Sequence, residues 1–164
     1  MPITLGVQRE GNGMTSRFIA AAIAAFTMIC VSAAPVSAAD HTVEMLNDGG
    51  DGQFMVFKPE VLKVEVGDTV TFKPTDPGHN AQTMTEIWPE GAEEFKGEIG
   101  QEVSYTVEKP GVYGVKCLPH YMMGMMMLIV AGDPENADQV ESFEPPQMAA
   151  ERWNKIKGEF EAAK

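Results

Sequence analysis

Beyond residue 40 the chain alternates between apolar and polar positions. Leu62, Val64 and Val66 take every second place against Lys63 and Glu65, Val70 and Phe72 alternate with Thr69, Thr71 and Lys73, and Val103, Tyr105 and Val107 mark a further run. A period of two puts one set of side chains on each face of a strand, the pattern of antiparallel sheets with one face buried. Strands are also predicted at 41–46, 54–57 and 126–131, and over Tyr113, Val115 and Cys117, which share a face. The run 47–52, Gly67-Asp68 and Lys109-Pro110-Gly111 read as turns, and Pro74, with no N–H to give a ladder, ends the strand before it. Residues 75–100 read as a long polar connection with room for one helical turn at 89–95. The expected fold class is all-β, a Greek-key sandwich of about eight strands.

After Pro145-Pro146 the period changes. Ala149, Trp153, Ile156, Phe160 and Ala163 recur at spacings of 4, 3, 4 and 3, one face of a helix, expected to dock on the sandwich through Trp153 and Phe160. One or two C-terminal helices therefore complete the fold.

The first forty residues follow a different logic. An uncharged Ala-rich run, FIAAAIAAFTMICVSAAPV from Phe18, follows Arg9 and Arg17 and ends at small residues, the layout of a secretory signal cleaved after Ala38. The competing reading is an uncleaved anchor, since the run is long enough to span, but no Lys/Arg cluster follows it. Residues 1–38 are thus expected to be a signal peptide and 39–164 a single exported domain.

Charge narrows the partners. The 164 residues carry 12 Lys+Arg against 24 Asp+Glu, a formal net charge of −12, which excludes a phosphate-gripping nucleic-acid protein and a polybasic membrane-surface protein. Without Arg9, Arg17 and Glu10 the exported chain holds 10 basic and 23 acidic side chains, and without Cys30 it holds one thiol, Cys117. In an oxidising compartment a single thiol has no internal disulfide partner, so it is buried, paired between chains or held by a metal.

The surroundings of Cys117 favour the metal. Cys117-Leu118-Pro119-His120-Tyr121-Met122-Met123-Gly124-Met125 places a thiolate, an imidazole and thioethers within nine residues between two predicted strands. Soft sulfur ligands select copper, and one Cys, two His and a long axial Met define the blue-copper electron-transfer site. The chain has three His, and His79, in Gly78-His79-Asn80, is the natural second imidazole, with the Asn80 amide or side chain placed to hydrogen-bond the Cys117 sulfur. For the axial ligand Met122, Met123, Met125, Met126 and Met127 compete; Gly124 gives Met125 a turn that can aim it inward. A set filled by protein donors leaves no open position for substrate, so a carrier rather than an enzyme is expected. Two rivals are a copper chaperone or store built on the Met-rich loop and a Cys117/His120 thiol enzyme. Ala39-Asp40-His41, if newly N-terminal, offers a further square-planar Cu(II) or Ni(II) motif.

These stretches resemble the cupredoxins, and among them the pseudoazurin family. The likeness runs through Met45-Leu46-Asn47, Gly67-Asp68-Thr69-Val70-Thr71-Phe72, Gly78-His79-Asn80, Pro89-Glu90-Gly91-Ala92-Glu93, Pro110-Gly111-Val112-Tyr113-Gly114-Val115-Lys116-Cys117, Pro119-His120-Tyr121 and Met123-Gly124-Met125. The resemblance implies an eight-stranded sandwich with two C-terminal helices and one type 1 copper held by His79, Cys117, His120 and Met125. It also implies a periplasmic role in shuttling electrons between redox proteins such as a c-type cytochrome and a copper nitrite reductase. From the residues themselves we expect a monomer that passes its electron through the solvent-facing edge of His120 and docks weakly on an apolar rim that includes Met55, Pro119, Met122 and Met123. The chain departs from the family in its acidity. Pro77 and Gly49 stand where lysines are common, and Glu44 stands where many relatives carry a surface His.

Overall fold

The computed structural model describes residues 37–50 and 52–164; the signal-peptide reading of 1–38 falls almost wholly outside them. Eight strands form two four-stranded sheets: β1 (Asp40–Asp48), β2 (Phe54–Lys58), β3 (Val61–Val64), β4 (Thr69–Pro74), β5 (Gln82–Thr83), β6 (Val103–Thr106), β7 (Gly111–Lys116) and β8 (Met126–Ala131). One sheet has the order β2-β1-β4-β6, the other β3-β8-β7-β5. Helices α1 (Ala137–Ser142) and α2 (Ala150–Ala163) follow, so the sandwich with two C-terminal helices is present as expected.

The first sheet behaves as its alternation requires. Val70, Phe72 and Tyr105 are buried inward, while Thr69 meets Thr106 and Thr71 meets Ser104 through hydroxyl pairs on the outer face. The second sheet is covered on both faces. All six residues of β8 are buried, with Met127, Ile129 and Ala131 in the core between the sheets and Met126, Leu128 and Val130 in a second core closed by Trp153, Ile156 and Phe160 of α2. A strand buried on both sides reads as a continuous apolar run, which is how MMLIVA stands in the sequence.

Two expectations need correction. The sheets are mixed: β1 runs parallel to β4 and β3 parallel to β8. Side chains alternate identically in parallel and antiparallel strands, so direction is set by the path of the chain between sheets and leaves no mark on the pattern. Nor is the 75–100 segment a polar connection. It includes β5 and buries Ala81, Met84, Ile87 and Trp88, and Trp88 packs against Phe95, Tyr105 and Tyr113 with ring centroids 4.8 to 6.1 Å away. At 89–95 there is a single turn, Ala92 N–H donating to Pro89 O at 3.1 Å, with Gly91 at φ 67° where a helix would need a negative value.

Candidate metal centre

At one end of the core between the sheets, His79 and Cys117 are fully buried and His120 is half-buried. His79 stands in the loop between β4 and β5; Cys117 follows β7; His120 lies in the 3-10 helix Leu118–Met123, which Pro119 starts and Gly124, at φ 93°, ends. Cys117 N–H donates to Met125 O and Met125 N–H to His120 O, at 3.0 and 3.2 Å, so the loop closes on itself around the ligand positions.

The three donors converge. Nδ1 of His79 and Nδ1 of His120 are 3.1 Å apart, and Cys117 Sγ lies 3.7 and 3.5 Å from them. A point at the centre of that triangle is about 2 Å from each donor, matching metal bonds to imidazole nitrogen (roughly 2.0–2.1 Å) and near those to thiolate sulfur (roughly 2.3 Å). Two imidazoles and one thiol of this spacing fit copper by donor chemistry as well as by size. His79, Cys117 and His120 are the only His/Cys/Asp/Glu cluster among the described residues with metal-holding geometry.

Hydrogen bonds set the donors' state. His79 Nε2 faces Asn47 Oδ1 at 3.0 Å. The amide oxygen only accepts, so the ring carries its proton on Nε2 and turns the Nδ1 lone pair toward Cys117. Burial, and then the charge of His120, push the His79 pKa below its ordinary value, which keeps the ring neutral and able to ligate. Burial pushes the Cys117 thiol up, opposed by backbone N–H groups of Asn80 and His120 aimed at the sulfur. Of the two options for Asn80, the backbone amide reaches Cys117, while the side chain ties the loops together: Oδ1 accepts from Leu118 N–H at 2.8 Å and Nδ2 donates to Gly97 O at 3.0 Å. Asn47 was visible in the sequence only as a turn residue, because its partner lies 32 positions away.

The Met-rich run is divided rather than clustered. Met125 and Met127 are buried in the core that contains Cys117, Met126 faces the helix-side core, and Met122 and Met123 are exposed at 61% and 47%. No shared thioether cluster is formed by the five, which leaves the store reading without support. The Ala39-Asp40-His41 motif is likewise drawn out. Asp68 Oδ1 accepts from Ala39 N–H and Asp68 Oδ2 pairs with His41 Nε2, each at 2.8 Å, while Asp40 and His41 lie in the ladder with β4. A square-planar site would need amine, amides and imidazole to wrap one ion, and the strand holds them extended.

The comparisons agree with this centre. The family of copper binding proteins of the plastocyanin/azurin type matches residues 43–132. A pseudoazurin from Paracoccus pantotrophus is 47% identical over 137 residues, 83% of this chain and 92% of that protein. A pseudoazurin from Methylorubrum extorquens is 40% identical over 139 residues, 83% of this chain and 93% of that protein. The crystal structure of native pseudoazurin from Hyphomicrobium denitrificans superimposes with a TM-score of 0.70 at 44% identity, covering 73% of this chain and 97% of that one. Two imidazoles and a thiol closing on one point at the end of a two-sheet sandwich, in a chain related to these proteins along nearly their whole length, place it among the pseudoazurins, blue-copper electron carriers of the plastocyanin/azurin family.

Proposed function

We propose that His79, Cys117, His120 and Met125 together hold a single copper ion and that the protein, a monomer, carries electrons in the periplasm between a c-type cytochrome and a copper nitrite reductase. The convergence of two imidazole nitrogens and one thiol sulfur within 3.7 Å of one another carries the ligand assignment. Met125 is the fully buried thioether next to Gly124, in the same core as Cys117, which favours it over the exposed Met122 and Met123. Copper bound there supplies reversible one-electron chemistry.

The chain's own part is to hold the donors still. Cys117 and His79 are locked by Asn80 and Asn47, so a change of charge at the centre meets a frame with little freedom to rearrange. His120 is the member with an edge toward solvent, and its short helix also exposes Leu118, Met122 and Met123, the apolar rim of a weak and quickly released contact. Residues 1–38 act as the export signal and 39–164 as the exported domain in this reading; mass spectrometry of the exported protein is expected to find Ala39 first.

The deciding measurement is the visible and paramagnetic-resonance spectrum of the copper-loaded chain. One copper per chain, an intense thiolate-to-Cu(II) band that bleaches on reduction, and loss of the band in Cys117→Ser are expected. Several tightly held Cu(I) ions with no blue band would overturn the carrier reading.

A further inference from the structure

We propose that Arg152 is a positioning residue of the metal centre: its guanidinium, carried on α2, clamps the two backbone segments that aim the Met125 thioether and the His79 imidazole. Nη1 donates to Met55 O at 2.5 Å and to Gly124 O at 3.4 Å, and Nη2 donates to Phe54 O at 2.7 Å. Nε lies 3.6 Å from Oε1 of Glu60, a buried carboxylate whose other oxygen takes Lys155 Nζ at 2.7 Å. The planar fork of Arg is spent on backbone carbonyls, and Glu60 holds the fork in place.

Both clamped segments need holding. Gly124 has φ 93° and directly precedes Met125; a Cβ there would come 3.3 Å from Ala149 Cβ, so the ligand loop lies flush on the start of α2. Met55 has φ 57°, and among the described residues it is the one non-glycine with a positive φ. A side chain in that region is strained and persists where its surroundings enforce it. Between the ladder pairs Leu46–Val56 and Asp48–Phe54 stand Asn47 and Met55, and Asn47 is the residue that orients His79. One side chain thus braces the approach to Met125 from one side and the support of His79 from the other.

The inference rests on the copper reading, and the test separates the two. Arg152→Ala and Arg152→Lys are compared with Ile156→Val, which loosens α2 packing without touching a carbonyl. Arg152→Ala is expected to change the ratio of the thiolate-to-Cu(II) bands, shift the reduction potential and weaken Cu(II) binding about tenfold. Arg152→Lys should restore these values only in part, because an ammonium lacks the fork. Ile156→Val should lower the melting temperature and leave spectrum, potential and affinity unchanged. In copper-free protein, amide exchange in 53–56 and 122–126 should speed up in Arg152→Ala and stay as in the wild type in Ile156→Val. Wild-type band ratio, potential and exchange in Arg152→Ala, with only the melting temperature lowered, would overturn the clamp; if the alanine variant does not fold, the same values in Arg152→Lys would do so. A wild-type protein that shows no blue band overturns the copper reading instead, and the exchange measurement still decides the clamp.

Discussion

Asn47 acts on the centre without touching a metal position. By accepting from His79 Nε2 it selects the tautomer whose Nδ1 is free to ligate, and it fixes the ring plane. Asn47→Ala is therefore expected to weaken Cu(II) binding by about 10–100-fold while leaving the protein folded, measured by competition titration against a chelator of known affinity. Asp68 works through charge at the opposite end of β1. Backbone N–H groups of Ala39 and Glu65 and the His41 side chain hold its carboxyl down at about 2 from an ordinary 3.8. A carboxylate depressed in the folded state adds stability that is fully present above its unfolded pKa and lost as pH falls through the folded one. The gap in melting temperature between wild type and Asp68→Asn should be constant above about pH 5 and close between pH 4 and pH 2; a gap that persists at pH 2 would refute the assignment.

At the scale of elements, the second sheet is the structural centre of gravity. β8 sends alternate residues into two cores, and α2 closes the outer one with Trp153, Ile156 and Phe160, all at 2% exposure or less. Phe160→Ala is expected to cost about 3–5 kcal/mol in urea unfolding, because it removes a large side chain and leaves a cavity at the far end of the helix. The same variant should leave the blue band in place, since Phe160 belongs to the helix-side core and not to the core that contains Cys117 and Met125. A smaller effect belongs to the turn before β7. Tyr113 Oη donates to Lys109 O at 2.7 Å and accepts from Lys109 N–H at 3.3 Å, so Tyr113→Phe should cost about 1–3 kcal/mol by leaving that carbonyl and amide short of partners.

For the whole molecule, charge and apolar surface are distributed to different ends of the docking problem. Phe54, Leu118, Met122 and Met123 are exposed by 47–61%, and three of them belong to the short helix that carries His120. Met122→Glu and Met123→Glu should slow electron transfer to a redox partner in stopped-flow traces and leave the copper spectrum unchanged; wild-type rates in both would refute the rim. The 23 acidic against 10 basic side chains of residues 39–164 make the long-range field negative. Association with a basic partner is then expected to slow as ionic strength rises, and with an acidic partner to speed up, which a salt series of the second-order rate distinguishes.

Much of this was legible in the chain itself. Period-two alternation marked β3, β4, β6 and β7 and period 3.6 the final helix, because burial of one face repeats locally along each element, whereas β8 stood as a continuous apolar run and β5 lay unmarked inside the apparent connection. The Cys-x2-His-x4-Met spacing marked a soft-ligand loop, since those residue types share a chemistry wherever they fold. What lies far apart in sequence was settled only in three dimensions: the parallel pairings of β1 with β4 and β3 with β8, the burial of Trp88 in an apparent connection, and the partition of the methionines between core and surface. Asn47 behind His79 and Arg152 behind Gly124 and Met55 belong to the same class. Their hydrogen bonds join positions 28 to 97 residues apart, and no local pattern records a partner chosen by the packing of two sheets and a helix.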